Sequence, residues 1–494
     1  MGKLTGFLEY SRKESVEISP EERVNNYNEF HIPLEDIDEE ERQNQAGRCM
    51  DCGVPYCNYG MILNNATTGC PLNNLIPEWN ELIYTQNMKE ACQRLLVTNR
   101  FPEFTSRVCP APCEVACICG YSSGSAVTIR ENEYALIENA YKKGYVKPEP
   151  ILTRTGKKVA VIGSGPSGLA AADWLNKRGH SVTIYEKSDR IGGLLMYGIP
   201  NMKIEKHIID RRINLMKAEG VEFILNADVG LTIDVSNILN NYDRIILCTG
   251  AENPRRINVA NNDAHGIYNA IEYLTTVTKS LLEHIPPRID LMSKKVLIIG
   301  GGDTGNDCLA TAIRQGAISV IQLEMMSKPP IRRLESNPWP EYPRILKTDY
   351  GQEEAIEEFG DDPRIFSAMV KEFIVNENYD VIGAIISNLR EERGDDGRII
   401  MVPNGEEFLI DTDAVLIAAG FTGTKEYIFE KFGLEADNRG NIKTENFRTN
   451  HEKIYAAGDA RRGQSLVVWA LRKGKDVARE VDKSLMGYSF IKLI

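Results

Sequence analysis

The stretch VAVIGSGPSG at residues 159–168 decides the fold, because a β-branched run leads directly into the pattern G-x-G-x-x-G. The next residues, LAAADWL at 169–175, favour a helix. In a dinucleotide-binding unit the first glycine permits a tight turn, the second lets the backbone approach a pyrophosphate, and the third lets helix and strand pack closely. A second apolar run, SVTIY at 181–185, ends at Glu186, where an acid can bind ribose hydroxyls. The sequence therefore predicts a nucleotide-binding strand–turn–helix rather than a glycine-rich turn without a ligand.

A second unit of the same kind lies further along the chain. The stretch KVLIIGGGDTGND at 295–307 repeats the β run and the glycine pattern, and SVIQL at 319–323 ends at Glu324. Two apolar strands at 244–251 and 414–421 each end in a glycine turn. We interpret them as the two crossings between nested nucleotide domains, so that the chain leaves the first domain near 255 and returns near 421.

Composition narrows the classes of protein that this chain can belong to. Of the 494 residues, 42% are hydrophobic and 26% charged, which is typical of a globular protein with real cores. No apolar run reaches the roughly 18 residues of a membrane helix, and the first residues lack a signal-peptide core. The net charge of −12 is dispersed, which argues against nucleic acid as a partner. We therefore expect a cytoplasmic protein that binds neither membrane nor nucleic acid.

The cysteines are concentrated near the N-terminus. Nine of the eleven lie between Cys49 and Cys119: eight in a C-x2-C-x4-C group, a Cys-Pro pair and the run CPAPCEVACIC at 109–119, and the ninth at Cys92. Structural zinc prefers two closely spaced pairs, whereas triplet spacing and cysteine–proline adjacency are typical of iron–sulfur sites. The spacing therefore favours [4Fe–4S] clusters over zinc.

Three local expectations follow from the same region. A single helix is expected at about 78–98, with Cys92 as a buried apolar side chain. Pro112 suits a first helical position, which would put Cys113 and Cys117 one turn apart on one helix face. The acidic residues at 14–42 predict a solvated helix or arm.

Residues 45–145 resemble the iron–sulfur domain shared by the small (beta) subunits of glutamate synthase and by dihydropyrimidine dehydrogenase. The resemblance implies that one cluster is held by Cys49, Cys52, Cys57 and Cys117, and the second by Cys70, Cys109, Cys113 and Glu133. Glu133 stands where the family has a Glu or Gln ligand, although most acidic residues on helices are surface charges. The gap before Cys70 is longer than in some relatives, and the extra thiol of Cys119 could exchange roles with Cys117.

The remaining sequence resembles the same small-subunit family. The stretch GGLLMYGIP at 192–200 is specific to that group, where it lines FAD, and the Gly-Asp at 458–459 matches the residues that bind the FAD ribityl-phosphate region. The implied FAD and crossing residues are Gly163, Gly165, Pro166, Ser167, Gly168, Glu186, Lys187, Gly193, Leu194, Gly250, Gly420, Gly458, Asp459, Gln464, Ser465 and Leu466. The implied nicotinamide-nucleotide residues are Gly300, Gly302, Asp303, Thr304, Gly305, Glu324, Arg332 and Arg333.

The choice of nicotinamide nucleotide stays open at this point. Glu324 favours NADH because an acid binds the ribose hydroxyls and repels a 2′-phosphate. Lys328, Arg332 and Arg333 lie downstream and could reach that phosphate, or could form a solvated basic turn. We expect NADPH, with NADH possible.

The resemblance implies an α/β fold with an N-terminal all-α iron–sulfur domain followed by two nested Rossmann-like domains. The expected limits are 1–150 for two [4Fe–4S] clusters, 151–255 with 421–494 for FAD, and 256–420 for NAD(P)H. The implied function is the electron-input subunit of glutamate synthase: NAD(P)H is oxidised at FAD, and the clusters carry electrons to a large (alpha) subunit with FMN and an iron–sulfur cluster. That subunit makes L-glutamate from L-glutamine and 2-oxoglutarate, and no catalytic side chain is expected here.

Two other functions remain as alternatives at this stage. One is the large subunit of an NADH-dependent ferredoxin:NADP oxidoreductase, which shares both nucleotide domains. The other is a flavin redox sensor that does not turn over. Neither nucleotide-domain crossing holds a C-x-x-C, and Cys248 and Cys308 stand alone, so a disulfide reductase is disfavoured.

Overall fold

The computed structural model describes residues 5–14, 18–31, 37–394 and 398–492. Its N-terminal part is a set of short helices around the cysteines. The helices are α1 Gly6–Glu9, α2 Pro20–Arg23, α3 Glu39–Gly47, α4 Ile76–Tyr84, α5 Met88–Leu96, α6 Pro102–Val108, α7 Pro112–Val115, α8 Ile118–Ser122 and α9 Ile129–Lys142. A short antiparallel hairpin, β1 Met61–Leu63 and β2 Ala66–Thr68, lies among them. The expectation of an all-α domain is therefore wrong in this detail, because Asn64 and Asn65 adopt the left-handed conformation that a tight hairpin turn needs.

The helix expected at about 78–98 is two helices, α4 and α5. The chain turns between them at Gln86, whose φ of +61° is left-handed and ends the first helix. Cys92 lies on α5 and is fully buried, as expected. The break lets both helices turn an apolar face to the same core, in which Trp79 and Leu95 are fully buried.

The first nucleotide domain begins after the linker that ends near residue 157. Its first elements are β3 Lys158–Ile162, α10 Pro166–Lys177, β4 Ser181–Tyr185, α11 Leu194–Tyr197, α12 Lys206–Ala218, β5 Glu222–Ile224, α13 Val235–Asn241 and β6 Arg244–Leu247. The chain then enters a second domain with β7 Ile267–Asn269, α14 Ala270–Glu283, β8 Lys295–Ile299, α15 Asp303–Arg314, β9 Ser319–Glu324, α16 Tyr350–Phe359, β10 Arg364–Phe366, β11 Ala368–Val375, β12 Val381–Arg393, β13 Ile399–Asp411 and β14 Ala414–Ile417. It returns with α17 Glu426–Phe432, β15 Ile454–Ala456, α18 Asp459–Arg462 and α19 Val467–Met486.

Two five-stranded parallel sheets confirm the nested Rossmann-like fold. The first has the strand order β15-β6-β3-β4-β5, and the second has the order β10-β9-β8-β14-β7. The last strand of the first sheet comes from the end of the chain, more than 200 residues after its neighbour β6. Both strands interpreted as crossings, β6 and β14, pair directly beside the strand that leads into a glycine turn.

A three-stranded antiparallel sheet, β11-β12-β13, packs against the second parallel sheet. Its strands β12 and β13 are 13 residues long, and their inner residues share a core with β8 and β14. The sequence patterns used above did not identify this sheet. Among the described ranges, no helix is both long and apolar enough to cross a bilayer.

The N-terminal segment 18–31 packs between the two nucleotide domains, and we refer to it as the strap. Arg23 is 3% exposed, and its guanidinium lies 2.7 Å from Glu354 on α16. Phe30 shares a cluster with Met202 of the first nucleotide domain and Tyr350 of the second. The solvated arm expected at 14–42 is therefore wrong for this part, because its arginine is paired in the interior; residues 15–17 and 32–36 of that arm lie outside the described ranges.

Candidate functional site

Five cysteines line one cavity in the N-terminal domain. Four of them are Cys49, Cys52, Cys57 and Cys117, and the fifth is Cys119. The other walls are apolar or aromatic and include Met50, Pro55, Tyr56, Ile76, Pro77, Ile118, Val127 and Ile129. Burial raises the pKa of the Cys49 thiol to about 12, so that without a positive group in the cavity the thiolate form is disfavoured. This donor set, thiols in an apolar enclosure, fits an iron–sulfur cluster.

A second group contains Cys70, Cys109 and Cys113 with the carboxylate of Glu133. Burial raises the pKa of all three thiols, and the charge of Glu133 is close enough to raise it further. Glu133 is buried, which raises its pKa to about 8, and Oε1 accepts hydrogen bonds from Asn99 (2.7 Å) and Thr105 (3.1 Å). It is therefore not a surface charge. Among the described residues, no group of His, Cys, Asp and Glu is arranged to hold a single metal ion.

The expectation that Cys113 and Cys117 share one helix face is wrong. Pro112 does begin a helix, but α7 ends at Val115, and Cys117 is the residue before α8. The helix stops after one turn, and Cys117 adopts an extended conformation with ψ of 127°. Cys113 therefore belongs to the second group and Cys117 to the cavity.

The first glycine turn connects β3 to α10. Gly163 has φ of +99°, and a Cβ atom there would lie 2.4 Å from the carbonyl oxygen of Cys248. A Cβ on Gly168 would lie 2.0 Å from the carbonyl oxygen of Gly163, whereas one on Gly165 would meet nothing within 4 Å. The turn is thus closed on its inner side and open at Gly165, which is where a pyrophosphate would approach the start of α10.

Replacing Gly168 with alanine is expected to remove most of the FAD that the sequence predicts at this turn, because the new Cβ collides with backbone that cannot move away. Gly165→Ala is the matched contrast: its φ of −65° suits any residue, so the fold should keep its unfolding temperature while the open side of the turn is obstructed. Flavin absorbance after gel filtration measures the FAD that stays bound, and circular dichroism measures the unfolding temperature. Full FAD content in Gly168→Ala would contradict this account of the turn.

Glu186 follows β4 and is bound to the turn. Its carboxylate accepts hydrogen bonds from the backbone N–H of Ser164 (3.0 Å), from the Ser164 hydroxyl and from the N–H of Ser188 (2.8 Å). The Ser164 hydroxyl in turn accepts from the N–H of Gly192 (3.0 Å). Ser164 was missed by the sequence reasoning, although it lies inside the glycine pattern; its hydrogen bonds hold the Glu186 carboxylate in place.

The other predicted residues of this domain follow the carboxyl ends of the same parallel strands, where nucleotides bind in such sheets. Gly193 approaches Gly165 closely, since a Cβ on Gly193 would lie 2.9 Å from the Gly165 Cα. Leu194 begins α11 and is half-exposed, Lys187 pairs with Glu252, and Gly250 has φ of +77°. The buried hydroxyl of Thr249, which the sequence reasoning missed, has no hydrogen-bond partner among the described residues.

The predicted residues of the C-terminal segment lie next to the first glycine turn. Gly458 packs on Ser167, and Leu466 is the residue before the long helix α19. Burial raises the pKa of Asp459 to about 6, and the Ser465 hydroxyl donates to its carboxylate at 2.8 Å. Gln464 accepts from the N–H of Phe421 at 3.3 Å and lies against Gly420. Gln464 thus connects the loop before α19 to the segment that follows β14.

The second glycine turn repeats the geometry of the first. Gly300 has φ of +125°, a Cβ on Gly305 would lie 2.1 Å from the Gly300 carbonyl oxygen, and Gly302 is open. Asp303 and Thr304 form the first turn of α15. Glu324 lies over Gly301 and accepts from the N–H of Met326 at 2.8 Å.

The basic residues downstream of Glu324 have different surroundings. Arg333 donates to the carbonyl oxygens of Asn337 (3.0 Å) and Glu341 (2.8 Å), while Arg332 is exposed. The loop at 338–343, whose role the sequence did not reveal, reaches the iron–sulfur domain. There the Trp339 ring stacks on Tyr121, with centroids 4.8 Å apart, and Thr68 donates to the Pro340 carbonyl.

Helix α19 contacts both α10 of the first nucleotide domain and the chain around the second cysteine group. Trp469 donates to the Thr67 hydroxyl at 2.8 Å, and Arg472 donates to the Pro71 carbonyl at 3.0 Å. Cys70 lies directly between these two partners in sequence, and the charge of Arg472 acts on its thiol. Cys49 and Cys52 of the cavity and Cys113 of the second group are partly exposed, and the other cysteines of both groups are buried.

Comparison with known proteins agrees with this arrangement. Residues 157–474 match the pyridine nucleotide-disulphide oxidoreductase family, and residues 23–145 match the family described as dihydropyrimidine dehydrogenase domain II, 4Fe-4S cluster. In fold, the chain is similar to FprA from Mycobacterium tuberculosis in complex with NADPH, with a TM-score of 0.54 and 17% identity over 67% of this chain and 85% of that one.

Two curated relatives cover nearly the whole chain. The glutamate synthase [NADPH] small chain of Bacillus subtilis is 44% identical over 99% of this chain and 100% of its own length. The glutamate synthase [NADH] of Schizosaccharomyces pombe is also 44% identical over 99% of this chain, which there matches 23% of a longer polypeptide. The chain therefore belongs to the pyridine nucleotide-disulphide oxidoreductase family and, within it, to the glutamate synthase small chains.

Proposed function

We propose that this protein is the electron-input subunit of a glutamate synthase, which oxidises NAD(P)H at FAD and supplies a large subunit that makes L-glutamate from L-glutamine and 2-oxoglutarate. The observation that carries the proposal is that two equivalent glycine turns and a cysteine-lined cavity occur in one chain. Helix α19 connects them, because it packs on α10 of the first nucleotide domain and contacts the second cysteine group. The small-chain relatives support the same assignment.

The proposed domains are 1–150 for the clusters, 151–255 with 421–494 for FAD, and 256–420 for NAD(P)H. We assign Cys49, Cys52, Cys57 and Cys117 to one [4Fe–4S] cluster, and Cys70, Cys109, Cys113 and Glu133 to the other. When bound, FAD accepts hydride and the clusters exchange single electrons. The apolar enclosure of the thiols supports the cluster assignment, and the Thr249 hydroxyl beside Gly163, which has no hydrogen-bond partner among the described residues, supports a ligand at the first glycine turn.

The side chains of this protein bind and orient the cofactors and take no covalent part in the reaction. The open turns at Gly165 and Gly302 receive pyrophosphates at the starts of α10 and α15. Glu186, hydrogen-bonded to Ser164, would hold the ribose, and Asp459, hydrogen-bonded by Ser465, would bind the ribityl-phosphate region. The start of α19 has the positive end of a helix dipole, which stabilises negative charge near it. No side chain is assigned a proton-transfer role.

The partner that we propose is a large subunit with FMN and its own iron–sulfur cluster. The NADH-named fungal relatives support it, because this chain matches only 22–23% of them and the rest of those polypeptides is available for the second half of the reaction. We also propose a cytoplasmic location. No role in binding nucleic acid or membrane is proposed.

Glu324 is expected to set the preference between the two nicotinamide nucleotides. Glu324→Gln keeps the shape and the acceptor for Met326 but removes the charge that would repel a 2′-phosphate. It should raise the ratio of kcat/KM for NADPH to that for NADH about tenfold, the factor that corresponds to 1.4 kcal/mol. Arg332→Gln, which removes the exposed cation, should lower the same ratio. Unchanged ratios in both variants would mean that neither residue contacts the ribose.

The decisive experiment is metal, sulfide and flavin analysis of protein purified without oxygen, with EPR after addition of NADPH or NADH. About eight irons and one FAD per chain are expected for two four-iron clusters. One of the two nucleotides should reduce the protein and bleach its visible absorbance. Zinc without iron would overturn the cluster assignment. Rapid NAD(P)H oxidation with an artificial acceptor excludes a non-turnover sensor, and titration with ferredoxin against the glutamate synthase large subunit separates the remaining alternative.

A further inference from the structure

A largely buried ion pair joins the two nucleotide domains. Lys203 follows the predicted flavin-lining stretch at 192–200, and its Nζ lies 3.3 Å from Oδ1 of Asp307 on α15. The two side chains are 16% and 6% exposed. Asp307 comes five residues after Gly302, the open glycine of the second turn. The pair therefore connects segments that are immediate neighbours of the two proposed nucleotide sites.

The strap and α16 enclose this ion pair. The hydroxyl of Tyr350, the first residue of α16, donates to the same Oδ1 of Asp307 at 2.7 Å. The ring of Phe30 in the strap lies over the Tyr350 ring, with centroids 5.0 Å apart, and its backbone N–H donates to the carbonyl of Met202 at 3.0 Å. These three side chains form one apolar cluster with Ala310 of α15. The strap thus contacts both domains beside the ion pair, and burial there reduces screening by water and salt.

The covalent connection between the two nucleotide domains has the form of a hinge. The outgoing segment 252–255 and the returning segment 420–423 pair with each other, through backbone hydrogen bonds of 2.8–3.1 Å and an antiparallel bridge between Pro254 and Phe421. Domains joined at one place rotate about it unless contacts elsewhere fix the angle. The angle between these domains is therefore set by their side-chain contacts.

Two further ion pairs join the same domains, but they are more exposed. Lys279 lies 3.1 Å from Asp189, and Arg190 lies 3.4 Å from Glu283, with side chains that are 32–41% exposed. Water and salt screen pairs of this kind, so they contribute little. The buried pair on α15 is screened much less and is the stronger constraint on the angle.

We propose that Lys203 and Asp307 are positioning residues for hydride transfer: their ion pair, enclosed by the strap, sets the angle between the FAD domain and the NAD(P)H domain. This inference rests on the proposed function, since it requires both nucleotides to bind at the glycine turns. In that reaction a C–H bond of the nicotinamide breaks, and its hydrogen and both electrons pass to the flavin, so that NAD(P)H is oxidised and the flavin is reduced. The reacting atoms must come within about 3–3.5 Å, and a displacement of about 1 Å can cost about a hundredfold in rate.

The test is anaerobic stopped-flow measurement of flavin reduction by NAD(P)H in the intact protein. Lys203→Met keeps the apolar stem of the side chain but removes its charge. At saturating nucleotide its flavin should be reduced about tenfold more slowly, with KM and FAD content near those of the wild type. Lys203→Arg keeps the cation and should recover most of the rate. Nucleotide deuterated at the transferred hydrogen should give a larger isotope effect in Lys203→Met, because hydride transfer becomes slower than the other steps.

Hydrogen exchange of the full-length protein, before nucleotide is added, gives a readout that does not depend on activity. The amides of 252–255 and 420–423 should exchange faster in Lys203→Met, because the domains then rotate more freely about these segments. Lys279→Met is the matched control: it removes a cation from an exposed pair between the same domains. It should leave both the exchange and the rate of flavin reduction near the wild-type values.

A wild-type rate of flavin reduction in Lys203→Met would overturn the inference. A raised KM at an unchanged maximal rate would overturn it as well, because Lys203 would then contact the nucleotide directly. If Lys203→Met loses FAD or unfolds, Asp307→Asn is the second variant, since it keeps the shape and the acceptor for Tyr350. Its flavin should also be reduced more slowly, and an unchanged rate there overturns the inference. Wild-type protein that holds no FAD, or that neither nucleotide reduces, would instead overturn the proposed function, so the two failures are distinguishable.

Discussion

Replacing Glu133 with alanine is expected to remove one of the two proposed [4Fe–4S] clusters and so to halve the iron, from about eight atoms per chain to about four. The carboxylate lies with Cys70, Cys109 and Cys113, and burial raises its pKa to about 8 in the protein alone. A buried carboxylate of this kind needs a compensating positive group, and a cluster iron supplies one. Without Glu133 the second group keeps only three ligands. Iron analysis and EPR of the reduced protein measure the loss.

Two variants on the same helix make this prediction specific. Glu133→Gln keeps an oxygen donor of the same length and should retain both clusters. Glu131→Ala is the matched control: it removes a partly exposed carboxylate that pairs with Arg42 at 2.8 Å, and its iron content should equal that of the wild type. Both EPR signals at full intensity in Glu133→Ala would show that Glu133 is a buried acid and not a ligand.

Replacing Glu354 with alanine is expected to lower the free energy of unfolding by about 3–5 kcal/mol, the cost of leaving buried charges without their partner. Glu354 is fully buried and accepts from Arg23 of the strap at 2.7 Å and from Arg314 of α15 at 3.0 Å. Its loss removes the carboxylate that Arg23 and Arg314 share at the contact between the strap and the second nucleotide domain, where Arg23 keeps the pair with Glu353 at 2.8 Å. Chemical denaturation measures the stability, and limited proteolysis should cut residues 18–31 faster in the variant.

The control for Glu354 is an ion pair on the surface. Lys371 and Glu407 are 2.7 Å apart with side chains that are 52% and 40% exposed, and pairs of this kind contribute about 0–1 kcal/mol. Glu407→Ala should therefore leave the unfolding curve nearly unchanged. Equal effects of Glu354→Ala and Glu407→Ala would mean that the strap contact does not stabilise the fold.

Local sequence was sufficient for the glycine turns and the strands that lead into them. Gly163 and Gly300 need positive φ, and Gly168 and Gly305 need a missing Cβ, because the chain folds back on atoms only a few residues away. Such constraints act over one turn of the chain, so they can be predicted from the residue types alone. For the same reason the cysteine spacings, together with the family resemblance, were enough to predict iron–sulfur chemistry.

Contacts between distant segments were decided only by the tertiary structure. Helical spacing put Cys113 and Cys117 on one face, but packing ends α7 after one turn and sends the two thiols to different groups. The acidic N-terminal run indicated a solvated arm, yet Arg23 is buried because Glu354 comes to it from 331 residues away. Hydrophobicity and charge report what a residue prefers in isolation. Whether a buried charge finds a partner depends on the whole chain, so Arg23, Glu133 and Cys119 acquire their surroundings only in the folded molecule.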